Sequence, residues 1–137
     1  MALRTAYLHL HRQTEAIFAD VGVTADQFVL LSVLADGEHL TQQELAGRMV
    51  SDANTLRAML LLLEKKGLVR RDPHPTDRRA RLVCLTPEGQ QIQQSLWKRS
   101  DRFRERLIDV LGSEDAGTLV ALLRRFSGAL MPGENAR

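Results

Sequence analysis

The 137-residue sequence contains a single cysteine, Cys84, which excludes an intramolecular disulfide and is typical of a reducing compartment. Aromatic residues make up only 4% of the chain, so a core must be built mainly from aliphatic side chains. The longest uninterrupted apolar run, 58–63, is far shorter than the roughly 20 residues of a membrane-spanning helix. Charged residues spread through positions 1–20 leave no apolar signal segment. We therefore expect a cytoplasmic protein with no membrane partner.

The overall composition is that of a globular protein, with 44% hydrophobic and 26% charged residues. The length predicts one domain, 1–137, that is large enough to bury a core without disulfides or a structural metal. A formal net charge of +2 is too small to identify a partner. The distribution of charge along the chain must do so instead.

Apolar periodicity and capping signals predict six helices. The first runs to about Asp20, and capping boxes at Thr24–Gln27 and Thr41–Glu44 begin the second and third. Ser51 or Asp52 begins a fourth helix that ends at Lys66. Thr86, followed by proline, begins a helix of about 25 residues that continues to Gly112. Residues 113–115 are predicted to cap the last helix.

Two short runs of β-like sequence, 68–71 and 81–85, flank a proline-rich and charged loop and predict a hairpin. Two short helices followed by a basic hairpin are typical of a winged helix-turn-helix. The predicted fold is therefore mainly α with a small β-hairpin wing. We expect a DNA-binding lobe at 24–86, with dimerisation helices at 1–21 and 87–130.

The terminal helices carry more apolar surface than one small domain can cover, which predicts a homodimer. The alternative is an all-α monomer that buries this surface internally. The predicted dimerisation residues are Leu3, Tyr7, Leu10, Leu107, Leu111, Leu119, Leu122, Leu123 and Phe126.

The strongest charge feature is the hairpin, where five arginines and two aspartates give residues 70–81 a net charge of +3. Guanidinium groups on a projecting loop suit phosphate binding. The alternative is a solvated tip in which arginines and aspartates pair with one another. Asp77, beside Arg78 and Arg79, is expected to hold one guanidinium in place.

Helix 52–66 is the predicted recognition helix, because its first turns present small and hydrogen-bonding residues. Asn54 can pair with adenine, and Arg57 can pair with guanine or a phosphate. Local helix capping is the alternative role for Asn54 and Thr55. The start of helix 41–49 is expected to bind a backbone phosphate through its amides. The predicted DNA-binding residues are Thr41, Gln42, Ala53, Asn54, Thr55, Arg57, Arg71, Asp77, Arg78 and Arg79.

Several segments together resemble the MarR family of bacterial transcription regulators. They are Leu45-Ala-Gly-Arg-Met49, Asp52-Ala-Asn-Thr55, Leu63-Glu-Lys-Lys-Gly-Leu-Val-Arg-Arg71, Asp77-Arg-Arg79 and Leu85-Thr-Pro-Glu-Gly89. The resemblance implies a homodimer on a pseudo-palindromic operator, with the recognition helix in the major groove. It also implies that Arg79 enters the minor groove with Asp77 as its orienting partner. The chain departs from a common family pattern at Arg57–Ala58, where many members have Thr-Arg.

The resemblance further implies a repressor of neighbouring genes that a small, often phenolic, ligand releases from DNA. Tyr7 and His11 lie one helical turn apart and are predicted to line the ligand pocket. The alternative is that Tyr7 is a packed core residue and His11 a surface residue.

No other chemistry is predicted. Cys84 has no obvious base beside it, and a redox role would need a neighbour such as Arg70 or Arg71 to stabilise its thiolate. His9, His11, His39 and His74 are scattered without ligand spacing, so neither a metal site nor a cofactor is expected. The sequence contains no catalytic motif and predicts no enzyme. The alternative function is a winged-helix protein-interaction module, such as an antirepressor or adaptor.

Overall fold

The computed structural model describes residues 1–37 and 39–131. Glu38 and residues 132–137, which the predicted domain 1–137 includes, lie outside the described residues. The chain forms two compact units, Met1–Ser100 and a second unit that begins at Asp101. The elements are α1 (Ala2–Phe18), α2 (Ala25–Ala35), β1 (Leu40–Thr41), α3 (Gln42–Met49), α4 (Ala53–Lys65), β2 (Val69–Pro73), β3 (Arg81–Leu85), α5 (Pro87–Arg99), α6 (Asp101–Leu111) and α7 (Ser113–Ala129).

A three-stranded antiparallel sheet in the order β1-β3-β2 completes the first unit. Strands β2 and β3 form the predicted hairpin, with Val69 opposite Leu85 and Pro73 opposite Arg81. Strand β1 was not predicted, because two residues are too short to show an alternating pattern. The winged helix-turn-helix fold class is confirmed. In the part of the chain that the structure describes, no helix is both long and apolar enough to span a membrane.

The core of the first unit is aliphatic, as the low aromatic content predicts. Its side chains come from every helix of the unit and from β2 and β3, so the core joins the helix-turn-helix to the wing. The largest fully buried side chains are Phe18, Leu30, Leu31, Leu45, Leu56, Leu60, Leu63, Leu96 and Val83.

Four predicted helix starts are confirmed by side-chain caps. Thr24 and Gln27 form a reciprocal capping box, whereas Thr41 accepts a hydrogen bond from the Glu44 N–H without the return bond. Asp52 caps α4 and Thr86 caps α5. The prediction for α7 was wrong, since its N-cap is Gly112 and no side-chain cap hydrogen bond is present.

The predicted continuous helix from Pro87 to Gly112 was also wrong, because it is interrupted at Ser100. Helix α5 ends at Arg99, and α6 begins at Asp101. Ser100 has φ −87° and ψ 1°, and its hydroxyl donates to the Trp97 carbonyl at 2.8 Å. Apolar spacing continued through this point and hid the break, since side-chain periodicity does not report a local change of backbone angle.

Candidate nucleic-acid interface

The N-terminus of α4 is held by Asp52. Its carboxylate accepts the Thr55 N–H at 2.8 Å and the Thr55 hydroxyl at 2.7 Å. These hydrogen bonds lower the pKa of Asp52, and the bond from the backbone N–H has the larger effect. Because Thr55 donates its hydroxyl proton to the cap, that proton is not available to a phosphate. The local capping role therefore describes Thr55, whose hydroxyl oxygen can still accept a hydrogen bond and whose methyl group can still contact a base.

The outward side of α4 is a continuous exposed surface. Leu56, Leu60 and Leu63 turn one side of the helix into the core. Ala53, Asn54, Arg57 and Ala58, which lie in the first two turns, are exposed. Leu61 extends this surface by a further turn and is 50% exposed. Sequence analysis did not single out Leu61, although its spacing from Asn54 and Arg57 places it on their face.

Arg71 lies at the base of the wing and is already paired within the chain. Its Nε and Nη2 donate to the two carboxylate oxygens of Glu64, each at 2.7 Å, and its Nη1 donates to Gln42 Oε1 at 3.2 Å. The Glu64 carboxylate raises the pKa of Arg71. Arg71, which the sequence predicts to bind DNA, joins β2 to α4 and α3 through these contacts. Its partner Glu64 was not predicted.

The exposed arginines of the wing fall into two groups. Arg70 donates to Asp72 at 3.1 Å, an ion pair within β2 and outside the tip. Arg78, Arg79 and Arg81 are exposed and form no ion pair with any residue in the described ranges. The positive charge available for an external partner is therefore concentrated at and beside the wing tip, defined here as residues 74–80.

Asp77 organises the backbone of the wing tip. Its carboxylate accepts the Arg79 backbone N–H at 2.9 Å, and its carbonyl accepts the Ala80 N–H at 3.2 Å. The expected bond between Asp77 and a guanidinium is not what the structure contains. Asp77 acts on Arg79 through the main chain, and leaves its guanidinium free.

A cleft of about 560 Å³ separates the wing tip from the start of α3. Thr41, Gln42 and Glu44 line one wall, and Arg79 and Arg81 belong to the other. Backbone amides at a helix N-terminus and guanidinium groups both favour anions. The Glu44 carboxylate opposes them, so the site suits the edge of a phosphate backbone better than a deeply buried anion.

Helix α1 carries the two residues predicted to line a ligand pocket. The rings of Tyr7 and His11 are stacked, with centroids 5.8 Å apart. Tyr7 is 55% exposed, so the alternative of a packed core residue is wrong for the single chain. Leu3 and Leu10 are exposed on the same helix.

The second unit consists of α6 and α7 packed against each other, and neither helix has a fully buried side chain among the described residues. The single chain therefore leaves its predicted dimerisation residues exposed. The all-α monomer alternative requires these residues to be buried within the chain, and they are not. The exposed side chains are Leu107, Leu111, Leu119, Leu122, Leu123 and Phe126.

Cys84 is buried in β3. Burial raises the pKa of its thiol, and the nearby Asp72 carboxylate raises it further against the opposing charge of Arg70. The thiolate that oxidation needs is disfavoured. Within the described ranges, no group of three or more His, Cys, Asp or Glu side chains is placed to hold a metal ion.

Known proteins with similar sequences and structures match most of the chain. Residues 23–80 match the MarR family, and the multiple antibiotic resistance protein MarR of Salmonella typhimurium is 33% identical over 105 residues, 76% of this chain and 73% of that protein. The putative transcriptional regulatory protein for the hcr operon of Thauera aromatica is 35% identical over 129 residues, 90% of this chain and 75% of that protein.

Two solved structures superpose over nearly the whole chain. The transcriptional repressor CouR, bound to a 23-mer DNA duplex, is similar with a TM-score of 0.85 and 29% identity, covering 92% of this chain and 89% of that one. NadR in complex with 4-hydroxyphenylacetate has a TM-score of 0.83 and 29% identity, covering 91% of this chain and 89% of that one.

Proposed function

The chain belongs to the MarR family of transcription regulators, and on that premise we propose that it is a homodimeric, sequence-specific DNA-binding repressor. One observation carries the proposal. The same compact unit presents an exposed recognition helix and a wing whose tip holds arginines that form no ion pair with the other described residues. A cation that is unpaired within the chain can release counterions when it binds a phosphate.

We assign base reading to α4, which corresponds to the predicted recognition helix 52–66. Asn54 and Arg57 have the side chains that pair with adenine and with guanine in the major groove, and Ala53 allows close approach. Thr41 and Gln42 lie at the start of α3, where amides can bind the DNA backbone. Arg78 and Arg79 extend from the wing tip. We place Arg79 in the flanking minor groove, where its positive charge is attracted to the narrow, electronegative groove.

The apolar side chains left exposed on α1, and separately those on α6 and α7, support a second copy of this chain as the dimer partner. An isologous dimer repeats each recognition helix by a two-fold axis. Its half-sites are then expected to lie about 10 base pairs apart. Two such half-sites fit within a duplex as long as the one bound by CouR.

A phenolic ligand is the proposed signal for release. NadR is solved with 4-hydroxyphenylacetate, and it resembles this chain over most of its length. The stacked Tyr7 and His11 pair offers an aromatic surface with hydrogen-bonding groups, which suits a small aromatic acid or phenol.

The test begins with selection of genomic fragments by the purified full-length protein. Binding of a selected duplex and a scrambled duplex is then measured by fluorescence anisotropy at two salt concentrations. We expect the selected duplex to bind about 1,000-fold more tightly or better, with affinity falling steeply as salt rises. Weak binding that ignores sequence would contradict a DNA-binding regulator and favour the protein-interaction module.

Arg79→Ala tests the wing. We expect affinity for the selected duplex to fall about 10-fold or more, because a groove contact and a phosphate-facing charge are lost together. The matched control is Lys98→Ala, which removes an exposed cation from α5 outside the proposed interface. Thermal melting of both variants should match the wild type. Equal affinity of Arg79→Ala and Lys98→Ala would remove Arg79 from the interface.

A further inference from the structure

The wing tip contains a histidine that the DNA-binding proposal does not use. Nδ1 of His74 lies 3.2 Å from the backbone nitrogen of Thr76 and 3.0 Å from that of Asp77, and both N–H groups donate to it. Asp77 in turn accepts the backbone N–H of Arg79. His74 therefore begins a series of side-chain-to-backbone hydrogen bonds that ends at Arg79.

Only one form of the imidazole can accept these two bonds. It is the neutral ring with its proton on Nε2, since the protonated ring carries N–H groups at both nitrogens. Protonation would place an N–H group at Nδ1, facing the backbone N–H groups of Thr76 and Asp77 that donate to it in the neutral ring. Histidine is also the side chain whose charge ordinarily changes between pH 5 and 8.

From this geometry we propose that His74 is a positioning residue that shapes the wing tip for DNA binding and releases it on protonation. The inference rests on the proposed function, because Arg79 matters only if the wing binds DNA. It makes DNA affinity depend on pH through a residue that touches neither a base nor a phosphate in this scheme.

Protonation of His74 has two opposite effects on DNA affinity. The added positive charge favours phosphate binding, whereas loss of the acceptor loosens the backbone that carries Arg79. The charged groups that share the cleft with His74 are Glu44 of α3, Asp77 and Arg79 of the wing tip, and Arg81 of β3. Two are acidic and two are basic, so their charges balance. We expect the lost hydrogen bonds to dominate and acid to weaken binding.

The experiment measures binding of the full-length protein to the selected duplex at pH 7.5 and pH 5.5 at constant ionic strength. Wild-type affinity is expected to fall about 5- to 10-fold between them, the size expected for one or two lost hydrogen bonds. His74→Ala has no acceptor and should bind about 5- to 10-fold more weakly at pH 7.5. His74→Asn places Oδ1 near the position of Nδ1 and does not titrate. It should recover most of the affinity and lose the acid effect.

The control is His39→Asn, which removes an exposed histidine located between α2 and β1. It should keep the wild-type pH profile. Nitrogen-15 NMR of the free protein gives a readout without DNA. At pH 7.5, we expect His74 to be protonated on Nε2 alone and the amides of Thr76 and Asp77 to exchange slowly.

The inference is overturned if wild-type affinity rises or stays level on acidification, or if His74→Asn weakens as the wild type does. A His74 that carries its proton on Nδ1 at pH 7.5 also overturns it. These results leave tight binding of the wild type at pH 7.5 intact. Failure of the wild type to bind any selected duplex contradicts the proposed function itself, together with the inference that rests on it.

Discussion

Two adjacent arginines of β2 have different environments. The Arg71 guanidinium binds both oxygens of Glu64 and the side-chain oxygen of Gln42, and its side chain is 25% exposed. The Arg70 side chain is 52% exposed and donates to Asp72. A planar guanidinium matches a carboxylate with two parallel hydrogen bonds, which an ammonium cannot do. Arg71 therefore fixes the wing to the recognition helix, whereas Arg70 does not.

Arg71→Lys is expected to lower the free energy of unfolding by about 1–2 kcal/mol, because the paired hydrogen bonds to Glu64 and the bond to Gln42 cannot all be kept. DNA affinity should also fall, since the wing loses its attachment to α4 and α3. Urea unfolding and anisotropy measure the two effects.

Arg70→Lys is the matched control for that change, because it makes the same substitution one residue away. No measurable loss of stability is expected there, since exposed ion pairs contribute little. Equal destabilisation by the two variants would show that the Glu64 and Gln42 contacts of Arg71 are not the cause.

At the scale of the elements, the start of α5 lies against the turn that precedes β2. The Thr86 N–H donates to the Leu68 carbonyl at 3.1 Å, and Thr86 also caps α5 by accepting the Gly89 N–H. A Cβ atom at Gly89 would lie 1.9 Å from the Leu68 carbonyl oxygen. The Thr-Pro-Glu-Gly segment thus combines a helix start with a glycine that allows close backbone packing.

Gly89→Ala is expected to destabilise the protein by about 3 kcal/mol or more, because the clash is with backbone that cannot rotate away. Thermal and urea unfolding provide the measurement. Gly47→Ala is the control, since Gly47 lies in α3 with no atom near its added Cβ. There we expect a gain of up to about 1 kcal/mol from the better helix propensity of alanine. A tolerated alanine at position 89 would contradict the described contact.

For the whole molecule, the exposed apolar side chains of the terminal helices have the largest consequence. Leu122 of α7 is 51% exposed, and Leu61 of the recognition helix is 50% exposed. Similar exposure in one chain does not distinguish a dimer surface from a DNA surface. The two leucines therefore provide a matched pair of positions for the same substitution.

Leu122→Glu is expected to yield a monomer, because a charge cannot be buried unpaired between two subunits. Leu61→Glu should leave the dimer intact and weaken DNA binding, because it places a carboxylate opposite phosphates. Sedimentation velocity reports the mass and anisotropy reports DNA binding. A dimeric Leu122→Glu variant, or a monomeric Leu61→Glu variant, would contradict the assignment of these surfaces.

Helix starts and the wing were predictable because they depend on residues close together in the chain. The caps Thr24–Gln27 and Asp52–Thr55 are contacts within one helical turn, and a proline directly follows the Thr86 cap. Two other local features were missed because apolar periodicity does not report them. A hydroxyl contact at Ser100 and the uncapped start of α7 leave no distinct trace in apolar periodicity.

The availability of each charged group could not be read from the order of residues. Arg71 and Gln42 are 29 positions apart, and neither residue type by itself indicates that they will meet. The wing charge was therefore correctly located along the chain, but its division into paired and free arginines depends on the packing of β2 against α3 and α4. Local hydrogen bonds, such as helix caps, are determined by residues adjacent in the sequence. The partners of long side chains are determined by tertiary packing, which brings distant segments together.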